Sequence, residues 1–324
     1  MQVKINGHKS EVLDLVGGGP QGSIIGQLLY IIASNDVIED VTEEDMFKHI
    51  DDLSVLEAVN HRQKLMEYDI FHHIPSDIPI NERYLPPETL KTPGINNQIS
   101  QWTEENIMRL NENKSNYMVL TNSNKKLATR ISLNKQTIDR VKEICHLGVW
   151  ITEDLKWNKH IAEMCQKAYS RIKLLTKFKY IGTNIEELVH IYCLHIRSYT
   201  EYCSTVFHSS LTEQLTRKIE AIQKTCLRII LADMYITYEA ALEMCGLKSL
   251  HERREQRSLE FAIKCEKSNS NSDMFPRNTS EDTHPVRKRE KFVANLARTE
   301  AYKSSAIPVL QRRINTHYME TEEV

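Results

Sequence analysis

Residues 47–56 read FKHIDDLSVL. Two short β-prone runs, 46–50 and 53–56, are separated only by Asp51 and Asp52, the spacing of a hairpin with a two-residue connection. Adjacent carboxylates repel each other. A hairpin tip tolerates them where water screens them or a divalent cation neutralises them. For an isolated Asp-Asp pair, an exposed acidic turn is the ordinary reading; the neighbouring sequence suggests more.

Upstream, residues 13–32 read LDLVGGGPQGSIIGQLLYII. Gly17-x-Gly19-x-x-Gly22 matches a dinucleotide-binding fingerprint, and a strand-like run precedes it. A true dinucleotide turn also needs a βαβ unit and a free helix N-terminus over the pyrophosphate. Pro20 restricts Gly19, and residues 35–45 form an acidic loop instead of a parallel strand with an acidic end. The turn alone therefore leaves a free nucleotide, a nucleic-acid strand and no ligand all open.

Working outward, residues 3–5 and 11–16 alternate as strands do, with Asn6-Gly7 as the turn between them. Residues 23–33 read as a buried helix. Residues 71–98 hold five prolines and predict a loop. Residues 102–111 predict a helix, and 117–120, 131–133 and 147–151 predict strands. After Trp157 the periodicity changes. Ile161, Met164, Cys165, Ala168, Ile172 and Leu175 recur at helical spacing, with Lys159, Lys173 and Lys177 on the opposite side. Further helices are predicted over 188–203, 212–231 and 238–265. Residues 268–290 are polar and low in large apolar side chains, which predicts a flexible linker. The fold class expected is α+β.

The chain has 324 residues, 40% hydrophobic and 27% charged, enough for one large or two modest cores. Its net charge of −2 means that any affinity for nucleic acid must come from a local basic face. One candidate runs from 156 to 179, where Lys156, Lys159, Lys167, Arg171, Lys173, Lys177 and Lys179 stand against Glu163. A solvated helix face is the bland alternative. No apolar run reaches the length of a membrane span, and the N-terminus has no signal-peptide pattern, so a soluble, intracellular chain with no membrane partner is expected. The seven cysteines, at 145, 165, 193, 203, 226, 245 and 265, form no CxxC pair and read as reduced thiols. His72-His73 has no ligand-type neighbours at metal spacing and reads as a loop feature.

Taken together, these stretches resemble the reverse transcriptases of non-LTR retrotransposons, especially jockey-type elements. GGGPQGSIIGQLLYIIASND is similar to the family's G-V-P-Q-G-S-x-L-G-P-L-L-F landmark followed by Asn-Asp. FKHIDDLSVL resembles its Y/F-A-D-D catalytic hairpin. WTEENIMRLNENKSNYMVL, residues 102–120, resembles the W…N…LN…K segment. HLGVWITEDLKWNKHI, residues 146–161, resembles the passage from primer grip to thumb. IYCLHIRSYTEYCSTVFHSSLT, IEAIQKTCLRII and AYKSSAIPVLQRRIN follow in family order. The resemblance covers nearly the whole chain.

It implies a partial palm over 1–151, an antiparallel sheet with helices, followed by a helical thumb over 152–267, the linker over 268–290 and a tail over 291–324. Pro20, Gln21, Gly22 and Ser23 would face the template and incoming nucleotide. Asp51 and Asp52 would be catalytic metal ligands for Mg²⁺ or Mn²⁺, and Lys114 would lie near the nucleotide's phosphates. Leu147, Gly148 and Val149 would support the primer, and Lys159, Lys173 and Lys177 would track the product duplex. The implied partners are an RNA template, a DNA primer, their RNA–DNA hybrid and deoxynucleoside triphosphates.

The family's palm carries another metal-binding aspartate upstream of the PQG loop, and no residue here matches that motif. The expectation is a truncated RNA-directed DNA polymerase that is inactive alone. A non-catalytic nucleic-acid-binding module is the alternative, and a nucleotide-binding oxidoreductase is a third. Gly18-Gly19 in place of Gly-Val, Gln27 in place of proline, and His49-Ile50 before the carboxylate pair depart from the pattern.

Overall fold

The computed structural model describes residues 4–5, 8–9, 46–49, 52–57, 90–106, 110–120, 131–134, 136–268, 274–278, 291–293 and 299–321. Helices and short strands are both present, an α+β composition, and the chain divides into two compact units, Met1–Lys142 and Glu143–Val324.

In the first unit, β1 (Lys4–Ile5) pairs antiparallel with β2 (His8–Lys9). Ile5 stands opposite His8. The returning strand starts at His8, and residues 11–16, expected to form it, lie outside the described residues, as does the helix expected over 23–33. β3 (Met46–His49) pairs antiparallel with β4 (Asp52–Val55). Leu53 and Val55 of β4 pack on Ile95 and Ile99 of helix α1 (Thr92–Glu105), with Trp102 and Leu110 around them.

α1 corrects the expectation of a loop to residue 98 and a helix from 102. Pro93 sits in the first turn, where its missing N–H has no intrahelical partner to lose. The Glu57 carboxylate accepts from the Lys91 N–H (3.0 Å) and the Thr92 N–H (3.1 Å), capping the free end from the strand side. A 3₁₀ turn (Glu112–Lys114) leads into β5 (Asn116–Tyr117), followed by β6 (Ser132–Leu133), β7 (Gln136–Thr137) and β8 (Asp139–Arg140). β6 pairs with β7 antiparallel and β5 with β8 parallel. Among the described residues the strands stand in separate pairs.

The second unit opens with a hairpin, β9 (Glu143–His146) and β10 (Val149–Thr152), followed by α2 (Asn158–Tyr180). The helix expected over 188–203 runs from α3 (Ile185–Tyr192) through a π turn (Cys193–Arg197) into α4 (Ser198–Glu201), and the short α5 (Ser204–Phe207) follows. A 3₁₀ turn (His208–Ser210) leads to α6 (Glu213–Leu231), begun by Thr212, whose hydroxyl accepts from the Leu215 N–H (3.3 Å).

The helix expected over 238–265 is two: α7 (Tyr238–Met244) and α8 (Leu250–Glu266). Gly246, at φ 62°, ends α7; its N–H bonds the Glu243 carbonyl (3.0 Å) and the Leu247 N–H bonds that of Leu242 (2.8 Å), a Schellman motif. Ser249 and Glu252 then form a reciprocal capping box that starts α8.

Ile161, Ala168, Leu175, Leu188, Ile196, Ile219, Leu227 and Leu250 fill the core of this unit. Each fully buried Leu or Ile side chain there is worth about 1.5–3 kcal/mol relative to exposure. The buried Gln223 satisfies its amide by accepting from the Tyr192 hydroxyl (2.5 Å) and donating to the Tyr238 hydroxyl (2.9 Å) and the Lys248 carbonyl (3.0 Å).

The short α9 (Glu300–Lys303) and α10 (Ala306–Thr321) follow. Leu310 and Ile314 of α10 join Ala262 and Cys265 of α8 in a second core with Phe275 and Phe292. Residues 274–278, inside the segment expected to be a flexible linker, are therefore packed. Phe275 supplies the apolar payload, and an Arg277↔Phe292 bridge ties the chain to residues 291–293. No helix among the described residues is long and apolar enough to cross a membrane.

Candidate nucleic-acid interface

The expected site residues fall partly outside the described structure: Pro20, Gln21, Gly22, Ser23 and Asp51 lie there. The expected hairpin at the carboxylate pair is present in a shifted register. His49 pairs with Asp52, so Asp52 belongs to β4 and not to the connection expected of it. Lys114 is exposed and ends the 3₁₀ turn ahead of β5. Asp52 and Lys114 belong to the first unit; the other described site residues belong to the second.

In the second unit the hairpin residues 147–149 have a clear structural role. Leu147 and Gly148 form the connection between β9 and β10, with φ of 47° and 81°, positive at both positions as a type I′ turn requires. The Tyr202 hydroxyl donates to the Leu147 carbonyl (2.7 Å), and a Cβ on Gly148 would meet Tyr202 Cε1 at 3.5 Å. Val149 is buried beneath the turn.

The rest of the 146–161 motif binds this hairpin to α2. The Trp150 N–H donates to His160 Nδ1 (3.4 Å), and the His160 ring packs 4.9 Å from Phe207 and 6.0 Å from Trp157, centroid to centroid. Burial, and then the charge of Lys167, hold the His160 imidazole below its ordinary pKa, so the ring stays a neutral acceptor. Lys159 reaches back across Trp150, 4.8 Å from the ring centroid, and pairs with Glu143 and Glu163, each at 3.3 Å. Those two carboxylates raise its pKa and occupy its ammonium.

Lys159 is thus a strut between hairpin and helix, unlike Lys173 and Lys177. These two are exposed on the same face, one and two turns from the C-terminal end of α2, and no ion pair is formed by either among the described residues. Arg171 lies well around the helix from that face, against Tyr199, 5.9 Å from its ring centroid. Lys179 turns inward and donates to the Ile230 carbonyl (2.8 Å).

Two charged clusters were not visible from sequence spacing. The buried Glu201 carboxylate accepts from Arg253, and Arg257 (3.1 Å) and Arg197 (3.5 Å) stand beside it, three guanidiniums around one carboxylate. Arg253 and Arg257 are one helical turn apart, a pattern the sequence does contain, but their partner lies 52 residues from Arg253.

The second cluster joins His208, His251 and Glu255, whose ligand-type atoms lie within 4.8 Å of one another. Its chemistry does not suit a metal. Arg254, fully buried, donates Nε–H to His208 Nδ1 (3.3 Å), so the ring hydrogen belongs on Nε2, facing Glu255 (3.9 Å). Arg313 Nη2 also holds Glu255 Oε1 at 2.5 Å. A cation there would have to displace two guanidinium contacts. Burial, then Arg254, Arg313 and His251, push the His208 pKa down to about 3.

No protein-family model matches the sequence, and comparison with curated proteins and with solved structures found no match.

Proposed function

We propose that the chain is a portion of an RNA-directed DNA polymerase of the non-LTR retrotransposon type, with residues 1–151 contributing to a palm and 152–267 forming a helical, nucleic-acid-binding thumb. The observation that carries this reading is the solvent-facing pair Lys173 and Lys177 on a helix whose base is locked to the Leu147–Gly148 hairpin. A rigid helix with uncompensated cations along one face is the form a phosphate-tracking element takes. Motif order along the chain supports it, as does the paired hairpin at the carboxylates.

Asp51 and Asp52 are the oxygen donors that Mg²⁺ or Mn²⁺ takes. Such a cation would supply Lewis-acid charge neutralisation for nucleotidyl transfer in the intact family. On this reading the chain's own contribution is the Asp51 and Asp52 carboxylates, with Lys114 as a cation for nucleotide phosphate. A second reading, a non-catalytic nucleic-acid-binding module, is favoured by the same lysines, because they need no carboxylate to work.

The test is a salt titration of binding to an RNA–DNA hybrid by the full chain, alongside primer extension with deoxynucleoside triphosphates and Mg²⁺ or Mn²⁺. Lys173→Gln with Lys177→Gln is expected to reduce the log–log salt slope by roughly two. Binding without extension is expected of a part that lacks the family's upstream aspartate. Extension would show that this chain polymerises by itself, and affinity indifferent to salt would end the nucleic-acid reading.

A further inference from the structure

The last turn of α2 carries a side chain that the core does not use. Tyr180 is 91% exposed, the most open large apolar side chain among the described residues, and Ile181 beside it is 72% exposed. Positions 173, 177 and 180 follow each other by four and three residues. At about 100° per residue they fall within about 60° of one another on the helix. Lys173, Lys177 and Tyr180 therefore form one continuous face, opposite the buried Ile161, Ala168 and Leu175. From Lys173 to Lys177 is about 6 Å along the axis, and Tyr180 lies about 4.5 Å further.

The electrostatics differ along this face. The C-terminal end of a helix carries partial negative charge, and the exposed Glu186 and Glu187 in the first turn of α3 add to it nearby in the chain. Phosphate is favoured over the two lysines and disfavoured at the ring. Lys179, the one further cation in the last turn, is committed to the Ile230 carbonyl. An uncharged planar group that continues a phosphate-bearing strand fits the end of the face; a nucleobase is such a group, and every base has a face to stack on an aromatic ring.

We infer that Tyr180 is a stacking platform for an unpaired base of a nucleic-acid strand whose phosphates lie along Lys173 and Lys177. This rests on the nucleic-acid reading of α2 given above. The test compares blunt RNA–DNA hybrids with hybrids carrying a single-stranded overhang, bound by the full chain, with a fluorescent base analogue in the overhang. Tyr180→Ala is expected to weaken overhang binding about tenfold and abolish the fluorescence change. Tyr180→Trp should keep both, and blunt-hybrid affinity should be unmoved by either.

If Tyr180→Ala binds overhang and blunt hybrids as the parent chain does, the platform is wrong while the lysine face stands. If it alters self-association by sedimentation and leaves overhang affinity unchanged, Tyr180 is a protein contact and the inference is overturned. If the parent chain binds neither hybrid, the nucleic-acid reading and the platform fall together.

Discussion

At Leu147 the backbone adopts a left-handed conformation, which costs a side-chain-bearing residue roughly 1–2 kcal/mol, while Gly148 adopts its own freely. Leu147 is 39% exposed, so its packing offsets only part of that cost. What holds the turn is its carbonyl, taken by the Tyr202 hydroxyl. Leu147→Asn is therefore expected to leave the chain as stable or up to about 1 kcal/mol more stable, because Asn tolerates this conformation. Gly148→Val should lower stability by about 1–2 kcal/mol, since a branched side chain is strained at this positive φ even though its Cβ would meet Tyr202 at ordinary contact distance. Urea-denaturation midpoints of the two variants check both signs; a destabilised Leu147→Asn would mean the leucine side chain itself is the anchor.

Among the elements, α8 shows how much depends on a well-made start. The Ser249 hydroxyl accepts from the Glu252 N–H (3.2 Å), and the Glu252 carboxylate returns to the Ser249 N–H (3.2 Å). From α6, Glu220 accepts the Leu250 N–H (3.0 Å) and the His251 N–H (3.3 Å). Ser249→Ala is expected to cost about 1 kcal/mol, seen as a lower thermal midpoint, with Ser249→Asp recovering most of it. A loss near zero would show that Glu220 alone satisfies the end.

The helices legible in the sequence were those with an uninterrupted apolar face, α2 and α6, whose periodicity needs no distant partner to interpret. The α7–α8 break was also written locally, as Gly246 followed by Ser-x-x-Glu, but a continuing apolar rhythm masked it. Pro93 hid α1 because the proline count of 71–98 took no account of its place in a first turn. The strand pairs slipped by a residue or more, since register is set by the partner strand and not by the run itself. The lysine face was legible; that Lys159 is neutralised by Glu143, across the hairpin, was not.

At the scale of the whole molecule, charge is balanced overall and uneven locally. His208 faces Arg254, Arg313 and His251, with Glu255 as the one opposing carboxylate among the charged groups named around it. Its folded-state pKa, about 3, lies below the ordinary 6.5, so the folded chain favours the neutral ring. In the interval between those values the unfolded chain binds the extra proton, so stability rises with pH there. The contribution is fully present above about pH 6.5 and is lost as pH falls from there toward 3. The denaturation midpoint of the parent chain should drop across pH 6.5 to 5, and His208→Asn, which keeps an acceptor for Arg254, should flatten that slope. A slope unchanged by the substitution would assign the acid sensitivity to other groups. The group also spans α8 and α10 through Glu255 and Arg313, so the docking of the last helix should weaken in the same interval.

The π turn at Cys193–Arg197 has a consequence for how this chain tolerates change in length. A π turn holds one residue more than a regular helix needs, and removing that residue would let the helix run on smoothly. Such a deletion, locally an improvement, would swing every later position by about 100°. Thr200 and Glu201 would rotate out of the interior, and Arg197, Arg253 and Arg257 would be left as three like charges with no counterion between them.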